Sequence, residues 1–451
     1  MKKYRLVSLL LTLLLLVGLL SPAAYAVQAP DITAGAALLM DAVHDEVLYE
    51  KNAHDKMYPA SLTKVMTALL VLEAVNTGQL ALDQVVTAST TFSTGLTVNG
   101  STQNIQPGEQ MTLNDLLHCL LIASANEASN ILAQTVSGDI PTFVERMNQR
   151  AAELGCTGTH FANAHGLHDD NHYTTAHDIY LIARAAMEND TFRAIVSTRS
   201  YEVPATNMHK ARLFYSTNAL LVTWYYRESY LYNKAIGIKT GTTDEGGYCL
   251  LSAAQDGEDY LISVVLDAPL VELEGGGTDR RQFTESRELF QWGFANFERR
   301  KIVDTDTPLA QVTVTLSDVD HVLVRPAAQL ERTLPRDLDA SKIKQEVQLT
   351  SDTVQAPVEA GQVLGSLTLT YEGEKLGVVD LISVSAAERS QLLYRLHQIR
   401  VFFQQTWAKL ASVVLILLLA VVILRKTLLR PRSRYGSRYS GRRRNYTGRR
   451  R

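Results

Sequence analysis

The chain has 451 residues, of which 46% are hydrophobic and 20% charged, a composition that excludes a protein disordered throughout. Its length allows two or three domains. The net charge of −3 hides an uneven distribution: residues 425–451 carry 12 bases and no acid, residues 1–26 carry three bases and no acid, and the rest carries 29 bases against 47 acids. This asymmetry indicates that different parts of the chain lie in different environments.

The N-terminus has the pattern of a secretory signal peptide. Three basic residues among the first five precede an apolar run over residues 6–20. Ala24 and Ala26 then place small residues at the −3 and −1 positions that signal peptidase requires. We therefore predict a signal peptide over residues 1–26, with an uncleaved N-terminal anchor as the alternative.

The segment 27–297 alternates between strand and helix patterns. Residues 34–50 predict a hairpin of strands, and residues 80–190 are mainly helical. Strand patterns return over residues 191–270, before a last helical run that ends at residue 297. Strands, a helical block, and strands again predict an α+β domain.

The character of the chain changes near residue 300. Residues 298–385 consist of short runs rich in Val, Leu and Thr, separated by acidic or glycine turns. This pattern predicts a small all-β domain of the sandwich type. Residues 386–406 predict a helical connector.

The segment 407–424 predicts a transmembrane helix. Its only charged residue is Lys409, and as a helix it is about 27 Å long, just enough to cross a bilayer. The basic tail, residues 425–451, follows at once, and the positive-inside rule places such a tail in the cytoplasm. We therefore predict a single-pass protein of the cell membrane whose bulk lies outside the cytoplasm. An Arg- and Tyr-rich tail can bind RNA, but attraction to anionic lipid is the simpler explanation, and we expect no nucleic-acid partner.

The three cysteines are too few and too far apart for a disulfide framework or a zinc site. Cys119 and Cys249 lie in apolar runs, and Cys156 lies in a turn. An odd count without close spacing indicates small apolar residues rather than ligands.

The first candidate motif is Ser61-Leu62-Thr63-Lys64, which follows Pro59 at the start of a helical pattern. The i to i+3 spacing places Lys64 on the same helix face as Ser61. A serine hydroxyl is a poor nucleophile without a base, and a desolvated lysine can be that base. The pattern occurs again at Ser341–Lys344, where we interpret it as chance.

The second motif is Ser124-Ala125-Asn126, which interrupts two helical patterns. A hydroxyl and an amide at such a break can face one cleft, where the first relays a proton and the second binds a substrate amide. The pattern is weak alone, because Ser216-Thr217-Asn218 matches it as well. An ordinary turn between helices is the alternative for Ser124 and Asn126.

The third motif is Lys239-Thr240-Gly241, which we expect at the end of a strand. Lys239 supplies a positive charge and Thr240 a hydroxyl, a combination that suits a substrate carboxylate. Gly241 has no side chain, so an extended ligand could pair along the strand edge. An exposed strand end is the alternative.

In this order, and in an exported chain, the three motifs are the signature set of the penicillin-recognising serine enzymes. The sequence resembles in particular the D-alanyl-D-alanine carboxypeptidases, the low-molecular-weight penicillin-binding proteins. The resemblance covers about residues 30–297 and extends more loosely to the all-β domain. It is carried by residues 58–67, 124–129, 165–167, 173–176 and 237–243.

The resemblance implies a catalytic domain of the serine transpeptidase/β-lactamase type. Ser61 would attack the carbonyl between the two terminal D-alanines of a peptidoglycan stem peptide, while Lys64 takes its proton. Ser124, with Lys239 nearby, would pass a proton to the leaving D-alanine. β-Lactam antibiotics would acylate Ser61 and remain bound as inhibitors.

The resemblance also implies the binding residues. Asn126 would bind the peptide, and Lys239 and Thr240 would hold the terminal carboxylate. The backbone N–H groups of Ser61 and Thr242 would form the oxyanion hole. We expect no metal and no cofactor. Thr242 departs from the family, in which His or Tyr is common, so a side-chain role there is in doubt.

Three alternatives stay open at this stage. A D,D-endopeptidase that cuts cross-links and a catalytically silent cell-wall scaffolding protein share the motifs or the fold, and a β-lactamase fits less well.

Arg280 or Arg281 could also contact the carboxylate. The polar cluster of His165, His168, Asp169, Asp170 and His172 could ligate a metal, but its spacing fits no standard site, so we predict a solvated loop, with His165 a structural hydrogen-bonding residue.

Overall fold

The computed structural model describes residues 28–97, 100–226 and 229–428. The predicted signal peptide and almost all of the basic tail therefore lie outside the described residues. The chain divides into two compact units, the first within Met1–Ile302 and Glu331–Ala340, the second within Val303–Leu330 and Ser341–Arg451.

The described residues form strands along both units, numbered in chain order. They are β1 (Ala36–Asp41), β2 (Glu46–Lys51), β3 (Val85–Thr87), β4 (Gln110–Thr112), β5 (Ser200–Val203), β6 (Arg212–Tyr215), β7 (Ala235–Thr243), β8 (Gly247–Asp256), β9 (Asp259–Ala268), β10 (Leu270–Glu272), β11 (Thr278–Arg280), β12 (Phe297–Val303), β13 (Ala310–Thr315), β14 (His321–Pro326), β15 (Leu330–Pro335), β16 (Lys344–Leu349), β17 (Thr353–Gln355), β18 (Val363–Tyr371) and β19 (Glu374–Ser383).

The helices are numbered in the same way. They are α1 (Lys64–Asn76), α2 (Leu113–Leu121), α3 (Asn126–Ser137), α4 (Ile140–Glu153), α5 (Ala176–Met187), α6 (Asp190–Val196), α7 (Arg281–Asn296), α8 (Gln391–Gln404) and α9 (Thr406–Leu428). Two short 3-10 turns, Ala60–Thr63 and Ala340–Lys342, complete the list.

A five-stranded antiparallel sheet is the centre of the first unit, in the order β2-β1-β9-β8-β7. Successive residues of a strand point to opposite faces, and both faces are covered here. Leu38 of β1 lies in a core shared with helices α1 to α6, whereas its neighbour Leu39 lies in a second core with Phe283 and Phe290 of α7. This double burial explains why the central strands are apolar without alternation. The α+β fold predicted from the sequence is confirmed.

Helix α1 crosses the larger core and is apolar on every side. Ten of its 13 residues are buried, from Lys64 to Ala74. A helix that is hydrophobic all round belongs in an interior. Because Lys64 is the first residue of this helix, the fold itself removes the lysine from water.

The second unit contains a six-stranded sheet in the order β16-β18-β19-β14-β13-β17. Burial alternates along β13, where Val312 and Val314 are buried and Thr313 is exposed, so this sheet buries one face. The predicted all-β domain is confirmed: six of its strands join in this one hydrogen-bonded sheet, whereas β12 pairs with β15 in a separate two-stranded sheet.

Two helices follow the second sheet. Helix α8 ends where Gln405 adopts an extended conformation, and α9 begins one residue later. With 23 residues and a mean hydropathy of 2.7 in its most apolar window, α9 is the one helix of the described residues long and apolar enough to cross a membrane.

Candidate active site

Ser61 lies in the 3-10 turn Ala60–Thr63 that leads directly into α1. Ala60 has a φ of +47°, a conformation that residues with a side chain rarely adopt. Two contacts hold this turn: Thr63 Oγ1 donates to the Ala60 carbonyl at 2.8 Å, and Gly166 packs so closely that an added Cβ would lie 1.9 Å from the same oxygen. Gly166 is therefore required by close approach as well as by its own φ of +88°.

His172 supports the turn through its contact with Thr63. The backbone N–H of Ala162 donates to its Nδ1 at 3.0 Å, so the ring proton lies on Nε2, which is 2.7 Å from Thr63 Oγ1. Burial lowers the pKa of His172 to about 4, which keeps the ring neutral at pH 7. A neutral histidine thus orients the threonine hydroxyl that fixes the Ser61 turn.

Lys64 lies within hydrogen-bond distance of three oxygens. Its Nζ is 2.9 Å from Ser61 Oγ, 2.8 Å from Asn126 Oδ1 and 2.6 Å from the backbone carbonyl of His165. A neutral amine has two N–H donors and one lone pair. The two carbonyl-type oxygens can accept only, so a neutral Lys64 donates to both and directs its lone pair at the Ser61 hydroxyl.

The surroundings favour this neutral form. Burial is the largest cause that lowers the pKa of Lys64 well below its ordinary value, and the positive charge of Lys239 lowers it further. The carboxylate of Glu127 acts in the opposite direction and does not prevail. Ser61 itself is only partly buried, so a substrate can reach its hydroxyl. The pair can transfer a proton from serine to lysine.

Ser124 and Asn126 lie at the break between α2 and α3. Ser124 has a φ of +62°, a strained conformation for a residue with a side chain. The break is held where the Ala125 N–H donates to the Cys119 carbonyl at 2.9 Å and the Asn126 N–H donates to the Ser101 carbonyl at 2.9 Å. The turn therefore points both polar side chains at the buried lysines.

Lys239 lies within β7, at the edge of the central sheet, and is 1% exposed. Its Nζ donates to Ser124 Oγ at 2.9 Å and to the Thr240 carbonyl at 2.8 Å. Burial lowers the pKa of Lys239 to about 7. We had expected the Lys239-Thr240-Gly241 motif at the end of a strand. The strand extends to Thr243, so the motif lies inside it.

Gly241 has a packing role that the sequence did not predict. A Cβ added there would lie 3.1 Å from each of the Pro59 carbonyl, the Ala60 Cβ and the Ser61 N–H nitrogen. β7 and the Ser61 turn are thus in direct contact across this glycine. The neighbouring Thr242 donates its hydroxyl to the Gly241 carbonyl at 2.7 Å.

Thr217 is a site residue that sequence reasoning missed. Its Oγ1 lies 2.6 Å from Thr240 Oγ1, so two hydroxyls stand side by side at β7. Asn218 next to it donates through Nδ2 to the Gly237 carbonyl at 2.9 Å, which anchors the segment to β7. The second Ser-x-Asn pattern, at 216–218, was the available signal, and we had used it only to show that the pattern is weak alone.

Glu127 is buried beside Asn126 and organises the loop above it. Its Oε1 accepts from Thr102 Oγ1 at 2.8 Å and from the Gln103 N–H at 2.6 Å. Asn126 and Glu127 line one cavity together with this loop, which includes Gly100. The loop therefore satisfies the Glu127 carboxylate, and the carboxylate in turn fixes the loop beside Asn126.

The polar cluster that follows residue 164 does not form a solvated loop throughout. His165 and His172 are buried, and burial lowers the pKa of His165 to about 3. His165 Nδ1 accepts from the Leu167 N–H at 3.1 Å, a structural role. In the described ranges no group of three or more His, Cys, Asp or Glu side chains is placed to hold a metal ion.

The three cysteines are buried and form no disulfide. Burial raises the pKa of each thiol, to about 12 for Cys156 and Cys249 and further for Cys119.

Arg281 is paired with Asp279 and Glu285, and Arg280 lies over the ring of Tyr226 at 4.5 Å. These contacts give the two arginines structural partners.

Known proteins are similar to this chain along most of its length. A family model described as D-alanyl-D-alanine carboxypeptidase matches residues 23–270, and one described as penicillin-binding protein 5, C-terminal domain, matches residues 297–389. The chain is 30% identical to the D-alanyl-D-alanine carboxypeptidase DacF of Bacillus subtilis, over 82% of this chain and 91% of that protein. It is 32% identical to DacC of Escherichia coli, over 82% and 89% of the two chains.

A solved structure shows the same fold. Penicillin-binding protein 5 from Haemophilus influenzae is similar with a TM-score of 0.65 at 28% identity, over 80% of this chain and 99% of that one. The first family model covers more than half of the chain. The chain therefore belongs to the D-alanyl-D-alanine carboxypeptidase family of serine peptidases.

Proposed function

We propose that the protein is a serine-type D-alanyl-D-alanine carboxypeptidase that removes the terminal D-alanine from peptidoglycan stem pentapeptides. The single observation that carries this proposal is the contact between Ser61 Oγ and the buried Lys64 Nζ at 2.9 Å. In a family of this activity, that contact supplies a nucleophile and its base. No cofactor takes part in the scheme.

The reaction has two halves. Ser61 Oγ attacks the carbonyl carbon between the two D-alanines, and its proton passes to Lys64 Nζ. The C–N bond then breaks, and a proton delivered through Ser124, beside Lys239, converts the leaving nitrogen into the amine of free D-alanine. Water attacks the acyl carbon of the resulting ester, the bond between that carbon and Ser61 Oγ breaks, and a proton from the water returns to Oγ.

The binding roles follow the polar groups around Ser61. Lys239 and Thr240 hold the terminal carboxylate, and Asn126 binds the peptide amide. The backbone N–H groups of Ser61 and Thr242 stabilise the negative oxygen of the tetrahedral intermediate. The close approach of Gly241 to the Ser61 turn supports this pairing, because it brings the two chain segments together. β-Lactams, as mimics of the terminal dipeptide, acylate Ser61.

We further propose that the segment 1–26 is a cleaved signal peptide and that α9 crosses the membrane, with residues 425–451 in the cytoplasm. The catalytic domain, residues 27–297, and the β domain, residues 298–385, then lie on the cell-wall side. The connector over 386–406 and the span over 407–424 complete this arrangement. The length and hydropathy of α9 support it.

The test is product analysis with the full-length protein purified in detergent. We expect release of free D-alanine from a stem pentapeptide. Cleavage only of a cross-linked dimer would identify a D,D-endopeptidase instead. If neither substrate is cleaved, the protein is a catalytically silent scaffolding protein and the proposal fails.

A further inference from the structure

The loop between β6 and β7 forms a surface that the proposed reaction does not use. Its base is closed where the Tyr232 N–H donates to the Leu220 carbonyl at 3.0 Å and where Asn218 is anchored to Gly237. The described part of the loop is rich in aromatic residues. The hydrogen bonds at the base join the two ends of the loop and fix them beside β7.

Trp224 of this loop and Tyr215, the last residue of β6, form an aromatic platform. Their rings are stacked, with centroids 4.2 Å apart and planes inclined by 18°. Trp224 is nevertheless 64% exposed, because Tyr215 covers only one of its faces. Tyr225 donates its hydroxyl to the Tyr215 carbonyl at 3.2 Å, which helps to hold the platform. An indole that is held flat and left open to solvent is typical of a binding surface rather than of packing.

The platform borders a cleft with a cavity volume of about 570 Å³. Leu220, Leu221 and Leu231 supply apolar surface in this cleft. Arg199 and Asn233 supply hydrogen-bond donors, and among the described residues no acidic side chain lines the cleft. A cleft of this size that combines apolar side chains with polar groups fits a small polar ligand that also has apolar faces. A pyranose has that character, because its C–H bonds form flat faces and its hydroxyl and N-acetyl groups lie at the edge.

The cleft lies next to the site along the chain. Tyr215 precedes Thr217 by two residues, a separation of at most about 7 Å between their Cα atoms. Thr217 in turn contacts Thr240, the residue proposed to hold the terminal carboxylate. If the protein trims stem peptides, as proposed above, its substrates in polymeric peptidoglycan are carried on a glycan strand. A surface beside the peptide site is therefore next to sugar.

We propose that the Trp224–Tyr215 platform and its cleft are a saccharide subsite, which binds an N-acetylated amino sugar of the glycan against the open face of Trp224. The sugar is held by ring stacking and by the polar groups at the edge of the cleft. The subsite docks the enzyme on polymeric peptidoglycan and increases its efficiency on stem peptides that remain attached to glycan.

The direct test is calorimetric titration of the full-length protein in detergent with a tetramer of N-acetylglucosamine. We expect binding with a Kd on the order of 1 mM. Trp224→Ala should weaken it at least about tenfold, whereas Trp224→Phe, which keeps a flat ring, should stay within about threefold of the original. Leu213→Ala is the matched control, because Leu213 is 56% exposed on β6 without lining the cleft. Equal binding by the original protein and Trp224→Ala, or no binding by either, overturns the proposal.

A second readout uses the reaction. The ratio of kcat/KM on glycan-attached pentapeptide to kcat/KM on free pentapeptide should exceed one and fall towards one in Trp224→Ala. Covalent labelling by penicillin verifies that this variant is folded with an intact Ser61. An unchanged ratio contradicts the subsite. If no D-alanine is released from either substrate while the tetramer still binds, the proposed function fails and the saccharide subsite stands.

Discussion

The chain carries the pattern Ser-x-x-Lys twice, and the two copies lie in different surroundings. In the first unit Lys64 is fully buried, with its Nζ 2.9 Å from Ser61 Oγ. In the second unit Ser341 lies in a short exposed turn and Lys344 is exposed at the start of β16. Hydration favours the charged form of a lysine, which cannot accept a proton. Burial of the lysine, rather than the spacing, therefore makes the first copy a candidate nucleophile and base.

The two Ser-x-Asn copies also differ in their surroundings. Ser124 and Asn126 direct their side chains at Lys239 and Lys64. In the other copy, Ser216 Oγ accepts from the Asn218 N–H at 3.2 Å, and the Asn218 side chain is bonded to backbone. Polar groups satisfied by backbone are available for structure rather than for proton transfer. A motif becomes a site where its side chains meet other functional groups.

The largest effect is expected for Ser61→Ala. Loss of the proposed nucleophile should lower kcat for D-alanine release at least about 10⁴-fold. Ser341→Ala, the matched change in the second copy, should leave kcat unchanged. An equal loss in both variants would contradict the distinction between the two copies.

Lys64→Met should lower kcat/KM by between about 10² and 10⁴-fold, because the general base is removed while the volume of the side chain is nearly kept. Lys344→Met should have no effect on the same D-alanine release assay. Circular dichroism verifies that both variants are folded. A Lys64→Met enzyme with near-normal kcat/KM would show that another group takes the serine proton.

Ser124→Ala should lower kcat about 10²-fold through loss of proton delivery to the leaving amine. Ser216→Ala, the matched change in the other Ser-x-Asn copy, should cost less than about threefold in the same assay, since its hydroxyl accepts a single local backbone bond. Comparable losses in the two variants would mean that the second copy also takes part in the chemistry.

The smallest effect is a pH dependence of kcat/KM. Lys64 must be neutral to accept a proton, so activity should fall as the pH drops through its lowered pKa. Lys239 must be charged to bind the carboxylate, so activity should also fall as the pH rises above its pKa of about 7, by about tenfold per unit. Lys239→Arg should remove the alkaline decline, because arginine keeps its charge. Persistence of that decline would assign it to another group.

The sequence predicted the α+β order and the separate all-β domain, because both depend on local apolar patterns. It did not predict the short strands β3 and β4 inside the helical block, since three residues carry no period. It predicted a joint role for Ser61, Lys64, Ser124 and Lys239, and the structure brings these residues together in hydrogen-bonded pairs.

The remaining site residues depend on contacts between distant parts of the chain. Thr217 meets Thr240, and His172 meets Thr63 across 109 positions, and neither pairing leaves a local signal. The histidine cluster was predicted as a solvated loop because its residues are polar and their spacing fits no standard metal site. The fold instead buries His165 and His172 near the Ser61 turn, where each ring accepts a hydrogen bond from a backbone N–H.

The most direct test of the account is mass mapping of the protein after incubation with penicillin. The account predicts one covalent adduct, equal to one penicillin, on the peptide that contains Ser61, in the unaltered protein and in Ser341→Ala alike. It predicts no adduct in Ser61→Ala. An adduct on any other peptide, or one that survives Ser61→Ala, would contradict the claim that the buried lysine makes Ser61 the nucleophile.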